Sequence, residues 1–381
     1  MQISSTRILT THVGSLPRSQ AVTDVVFGLE QGKEVADAAE TIAAAVSDVL
    51  RRQKEAGVDV VSDGEMSKIS YATYIKDRIS GFDGDSERKP PSDLEEFPGF
   101  LKRQAASGGT PSYRRPCCVG DIAVKDMDPV NEDLANMAAA MREHPPVEGF
   151  MNAASPGVIA LFQPNRHYPS HEAYLEALAG AMAAEYRAIV EAGLVLQLDS
   201  PDLGLGRHML FKDKSDGEYE RLASLHVDAL NHALEGIPKE QVRLHVCWGN
   251  YEGPHHHDAP MEMVLPIACK ANVGALLFES SNPRHAHEWK VFAEAALPDD
   301  LVLVPGVIDS TTNFIEHPKL VAERICRFAD VVGRERVIAG TDCGFSTFAG
   351  FGAVDEDIVY AKLASMAEGA AIASRKLWNG A

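Results

Sequence analysis

Two residues on one short apolar run carry the most legible chemistry in this sequence. His245 and Cys247 are two apart in Arg243–Cys247, a candidate strand, so their side chains leave the same face. Imidazole nitrogen and thiolate sulfur are both good ligands for Zn2+, which takes four in a tetrahedron. A His-x-Cys pair taken alone is more often a pair of core residues. Cys343, in a D-C-G turn, and Glu279, at the end of another candidate strand, argue against that reading, because carboxylates are rarely buried without a partner or a metal. The set His245, Cys247, Glu279 and Cys343 is therefore a candidate zinc site. A thiol with a pKa near ~8.5 is mostly protonated at neutral pH, and coordination deprotonates it. Such a site suits the activation of a substrate thiol for alkylation, with Glu279 expected to be the ligand that moves aside.

The elements that must position these residues alternate along the chain. Candidate strands are 7–13, 59–62, 158–162, 194–198, 243–247, 275–278, 302–307 and 337–339. Between them lie stretches with apolar residues at three- and four-residue spacing, as in 36–55, 171–191, 217–234, 261–270, 317–332 and 354–375. Strand–helix alternation predicts a parallel sheet, and eight strands fit a closed (β/α)8 TIM barrel spanning 1–381 as one α/β domain. A doubly wound open sheet is the alternative, but no G-x-G-x-x-G follows the first strand. A Pro-, Gly- and charge-rich stretch breaks the rhythm, predicting an inserted loop and hairpin around residues 81–125. Most candidate strands end in a polar cluster, at 12–15, 63–65, 198–202, 245–249, 278–280, 306–311 and 341–345. Barrel enzymes place their catalytic groups at that end of the strands.

The net charge is -19, from 55 acidic against 36 basic residues. So acidic a surface repels phosphate backbones and anionic lipid heads, which argues against nucleic acid and membrane partners. No apolar run is long enough to span a bilayer, and the first residues lack the apolar core of a secretory signal. The cytoplasm is the expected compartment. Six cysteines are too sparse for a disulfide scaffold, so reduced thiols or metal-bound thiolates are expected.

The segments TTHVGSLP, VSDGEMSK, LQLDSPDL, HVCWGN, LLFESS, PGVID and GTDCGF occur in the order found in the cobalamin-independent methionine synthases, and the sequence resembles the catalytic half of that family over nearly its whole length. The resemblance implies a barrel related to uroporphyrinogen decarboxylase, a zinc ion on His245, Cys247, Glu279 and Cys343, and methyl transfer to the sulfur of homocysteine. It places the amino-acid substrate on Val13, Gly14 and Ser15 with Glu65 and Asp199, and catalytic roles on Asp199, Asp309 and Thr311. Three positions depart from the family pattern. Leu205 stands where the family has an acidic residue that grips the folate ring, Thr311 where it has a proton-donating histidine, and Ser200 where it has a glutamate. The methyl donor is therefore open between a folate and a corrinoid. Epoxide opening by a thiolate, as in the related epoxyalkane:coenzyme M transferase, is the alternative, and a metal-free decarboxylase is the alternative from another class. The expected partners are a small-molecule thiol and an alkyl donor, with a corrinoid protein donor and a homo-oligomer left open.

Other chemistry-bearing residues have plainer readings. His12, His208 or His317 could replace the missing proton donor, though a single loop histidine is more often only solvated. The run His255–His257 reads as a capping loop, because consecutive side chains diverge. Cys117 and Cys118 are hairpin residues, and Cys269 and Cys326 small core residues on helices. Arg284 is an equal candidate for an anionic substrate group or a loop salt bridge, and Asp63 and Asp342 for orienting ligands.

Overall fold

The computed structural model describes residues 1–87, 90–106 and 114–379; two stretches of the expected insertion, 88–89 and 107–113, lie outside the described residues. Eight parallel strands are β1 Leu9–Thr10, β2 Val60–Val61, β3 Glu148–Ala154, β4 Val195–Asp199, β5 Val242–Val246, β6 Ala275–Phe278, β7 Val302–Ile308 and β8 Ile338–Thr341. They are hydrogen-bonded in the order β1-β8-β7-β6-β5-β4-β3-β2. Isolated bonds close the remaining seam: Asp59 N donates to Thr10 O at 3.2 Å, and Thr11 Oγ1 to Val60 O at 3.0 Å. The result is the expected (β/α)8 barrel, closed by a ladder except at β1 and β2.

Helices α1 Gln20–Glu30, α2 Ala38–Glu55, α3 Asp128–Glu143, α4 Pro156–Phe162, α5 His171–Glu191, α6 Asp216–Ala233, α7 Met261–Ala268, α8 Trp289–Glu294, α9 Pro318–Val332 and α10 Glu356–Asn379 pack outside the strands. Among the described residues, no helix is long and apolar enough to cross a membrane.

One strand assignment is corrected. Residues 158–162 are helical, in α4, and the third strand is Glu148–Ala154. Val158, Ile159, Leu161 and Phe162 suit a buried strand by composition. The local start signal overrides them: Ser155 caps the helix by accepting from Val158 N at 3.1 Å, and Pro156 sits at the first helical position, where its missing N–H costs nothing.

Strand alternation sorts side chains between the two sides of the sheet. Leu196, Leu244, Leu276, Phe278 and Leu303 join the large outer core beneath the helices. Ala275, Leu277, Val302, Val304 and Ile338 form a separate cluster inside the barrel. Extending the inner parity toward the strand ends puts Asp199, His245, Cys247 and Glu279 on the inside, at the mouth.

The expected insertion lies outside the barrel, with helical turns and a long-range strand pair where a plain loop and a short hairpin were expected. Phe82–Asp83 pairs antiparallel with Cys117–Cys118, and two short helices, Ser92–Glu95 and Pro98–Ala106, lie between them in sequence.

Candidate active site

His245 ends the inner face of β5, and Cys247 follows it on the same face. Cys343 comes from the turn after β8, where Thr341 Oγ1 donates to Cys343 O at 2.8 Å. The three side chains are buried, and their ligand atoms all lie within 4.8 Å of one another. His245 Nδ1 is 3.0 Å from Asp199 Oδ1 at the end of β4, while His245 Nε2 is buried without a hydrogen-bond partner. A buried, unpartnered ring nitrogen is costly, and a cation among the two sulfurs would satisfy it. The donor set thus fits a soft divalent metal.

Electrostatics agree with this geometry. Burial works against charge on the His245 ring, but Cys247 and Asp199 outweigh it and lift its pKa to about 9. The two thiols act on each other through a hydrogen bond. A hydrogen bond from Cys343 pulls Cys247 down, and the same contact, with burial, pushes Cys343 well above the ordinary thiol range. A cation among these groups would compete with the protons on them.

Glu279 is buried beside the triad but does not converge with it at the same spacing. Its Oε1 accepts from Trp248 N at 2.9 Å, and its Oε2 from Asn282 Nδ2 at 2.7 Å. Asp342 fixes this corner by accepting from the amides of Ser280, Ser281 and Asn282 at 2.8, 2.9 and 2.8 Å. Its contacts run to the loop after β6.

A cavity of about 300 Å3 opens over the triad. Val13, Ser15, Glu65, Asp199, His245, Cys247 and Cys343 all line it, so the structure brings most of the expected substrate residues to the expected metal residues. Gly14 lies behind this wall at φ +148°, and a Cβ there would sit 2.3 Å from Asn152 Oδ1. Glu65, in the left-handed region at φ +59°, has an unpartnered buried Oε2. Burial raises its pKa to about 7, against the lowering effect of Lys68. Asp63 receives Glu65 N at 3.0 Å and so shapes this turn.

Asp309 and Thr311 line a second cavity of about 420 Å3, which shares Asn250 and Cys343 with the first and includes Glu279. Thr311 N and Oγ1 both donate to Asp309 Oδ1, at 2.9 and 2.8 Å. None of the three histidines considered as proton donors lines either cavity. His12 is buried against Gln53 of α2, where burial drops its pKa to about 3. His208 lies 3.3 Å from the Asp258 carboxylate, and His317 caps α9 by accepting from Lys319 N at 3.2 Å.

A model of the cobalamin-independent synthase catalytic domain matches residues 8–371. The chain belongs to this family. The curated methionine synthases of Sulfurisphaera tokodaii and Saccharolobus solfataricus are each 26% identical over 372 residues, which is 97% of this chain and 94% and 95% of theirs. A solved B12-independent methionine synthase from Shewanella sp. W3-18-1, in complex with selenomethionine, matches with a TM-score of 0.74 at 19% identity, covering 98% of this chain and 99% of that one.

Several site residues escape a reading by motif. Asn152 donates to Val13 O at 2.9 Å and to Asp199 Oδ2 at 3.0 Å, tying the β1 turn to the His245 partner. Gln197 bonds both groups as well, and Arg243 Nε donates to Gln197 Oε1 at 2.8 Å. Gln197 and Arg243 could have been found by stepping back two residues from Asp199 and His245 on the same strand face. The apolar wall of Tyr71, Phe162, Leu205, Tyr251 and Phe348 comes from five separate segments, which no local pattern joins.

Proposed function

We propose that this chain methylates the sulfur of homocysteine to give methionine, and that it does so with a zinc ion on His245, Cys247 and Cys343 and with Glu279 as the exchangeable fourth ligand. The observation that carries the reading is the buried triad with His245 Nε2 unpartnered, beneath a cavity whose other walls hold Glu65 and Asp199. Membership in the synthase family and the curated methionine synthases support methyl transfer over epoxide opening and over metal-free decarboxylation. Bound to this set, zinc supplies a substrate thiolate at neutral pH without a dedicated base.

The protein's own groups account for the rest. Glu65 and Asp199 offer carboxylates to the substrate ammonium, beside the Val13–Gly14–Ser15 turn. Asp199 also holds His245 in the tautomer that frees Nε2. In the second cavity Asp309 fixes Thr311, whose hydroxyl cannot titrate near neutrality. This pair borders the space open to a methyl donor; residue 311 offers no titratable proton, so a departing folate nitrogen would take its proton from solvent, whereas a departing corrinoid needs none. The apolar residue at position 205 leaves a folate ring without its family anchor.

The test is a thiol screen on zinc-loaded protein by zinc-edge X-ray absorption. Homocysteine should add one sulfur to the metal, and methionine should form when a methyl donor follows. No change in the sulfur shell with homocysteine would overturn the reading.

A further inference from the structure

The three rings of the run His255–His257 divide between two directions. His255 turns inward at φ +53°, with Nδ1 on Asp258 at 2.9 Å and Nε2 on Tyr251 O at 2.9 Å. His256 and His257 turn outward and converge, their ring centroids 4.1 Å apart. The reversal of direction at His255 is what lets neighbouring rings meet. Both meet at Glu96: His256 Nε2 is 3.0 Å from Oε2, and His257 Nε2 contacts Oε1. One ligand atom from each of the three lies within 4.8 Å of the other two, and all three residues are exposed.

Two imidazoles and a carboxylate are a ligand set for a first-row divalent cation, with water completing the shell. The position adds to the chemistry. Glu96 belongs to the insertion, and Leu94 and Leu101 from the same segment line the cavity over Cys247 and Cys343. Three residues before Glu96, Asp93 Oδ2 accepts from Tyr251 Oη at 2.8 Å and from His255 N at 2.9 Å. The insertion is thus joined to the loop after β5 at two adjacent points, one inside and one at the surface. The surface point, as a plain ion pair, is screened by salt and holds weakly.

We propose that Glu96, His256 and His257 form a second, surface site for a divalent cation of the zinc class, which clamps the insertion onto the loop after β5 and steadies the cover of the cavity. The site stands apart from the interior triad and does not depend on its function. Binding requires both rings to be neutral, so protons compete with the cation.

Equilibrium dialysis of the full chain against micromolar zinc tests the site. The wild type should take two equivalents, His256→Ala/His257→Ala one, and Cys343→Ser should keep the surface equivalent. Wild-type protein that takes one equivalent and loses it in Cys343→Ser overturns the clamp. One equivalent lost instead in the double histidine variant supports the clamp and counts against the interior site. Hydrogen exchange supplies the second readout: the surface equivalent should slow exchange in 92–103 by about tenfold in the wild type only. Equal slowing in the double variant, or no slowing in the wild type, overturns it.

Discussion

The carboxylate of Asp199 lies 3.0 Å from His245 Nδ1, and this contact selects which nitrogen of the ring is free for a metal. An ionised carboxylate can only accept, so Nδ1 keeps its proton, and Nε2 is the nitrogen that gives up a proton to take a metal. Asn152 and Gln197 donate to the same carboxylate at 3.0 and 3.3 Å, which fixes its orientation. These bonds tie β3, β4 and β5 together around one carboxylate and one ring.

If His245, Cys247 and Cys343 hold zinc, Asp199→Asn should weaken its binding while leaving all three side chains in place. The amide can present its own N–H to Nδ1 and favour the wrong tautomer. Loss of such an outer partner lowers metal affinity roughly 10–100-fold. Chelator competition on purified protein measures this. Affinity equal to wild type would show that the contact does not orient the ligand.

Glu65 gives a pH dependence with a definite sign. Burial raises its pKa to about 7, so the free protein holds it half protonated near neutrality. Only the carboxylate attracts the substrate ammonium. The KM for homocysteine should fall as pH rises through about 7, then level off once Glu65 is ionised. Glu65→Gln should raise KM and remove that limb of the profile. A limb that persists in Glu65→Gln belongs to another group.

The barrel and the interior cluster of His245, Cys247 and Cys343 were legible, the first from short-range pattern and the second from a His-x-Cys spacing and a D-C-G turn. Alternation of β-branched runs with amphipathic helices identifies seven of the eight strands, and His245 and Cys247 share a face by spacing alone. The third strand was hidden because EGFMNAA has no β-branched residue, while the helix after it does. Asn152, on that strand, was hidden with it. The pairing of Glu96 with His256 and His257 was out of reach for a different reason: it joins residues separated by 160 positions and depends on a backbone reversal at His255.

Gly14→Ala tests how tightly the β1 turn is coupled to the site. The added Cβ would meet Asn152 Oδ1 at 2.3 Å, at a φ of +148° that side chains rarely adopt. Asn152 would have to release Val13 O or Asp199, or the turn would have to shift. Thermal unfolding should show a loss of about 1–3 kcal/mol. Homocysteine binding should weaken as well. A variant with unchanged stability and affinity would mean that the turn and Asn152 adjust independently.

Glu279→Gln separates a metal ligand from a bystander. In its present position Glu279 accepts from Trp248 N and Asn282 Nδ2, so a carboxylate leaving the metal has two donors already in place. The substitution puts an amide N–H toward one of those donors and removes the negative charge. If Glu279 is the exchangeable ligand, the variant should bind zinc roughly tenfold or more weakly, from the loss of one charged ligand. It should still gain a sulfur from homocysteine in the X-ray absorption spectrum, because no carboxylate need be displaced. Wild-type zinc affinity in this variant would remove Glu279 from the ligand set and leave His245, Cys247 and Cys343 as the protein's whole contribution.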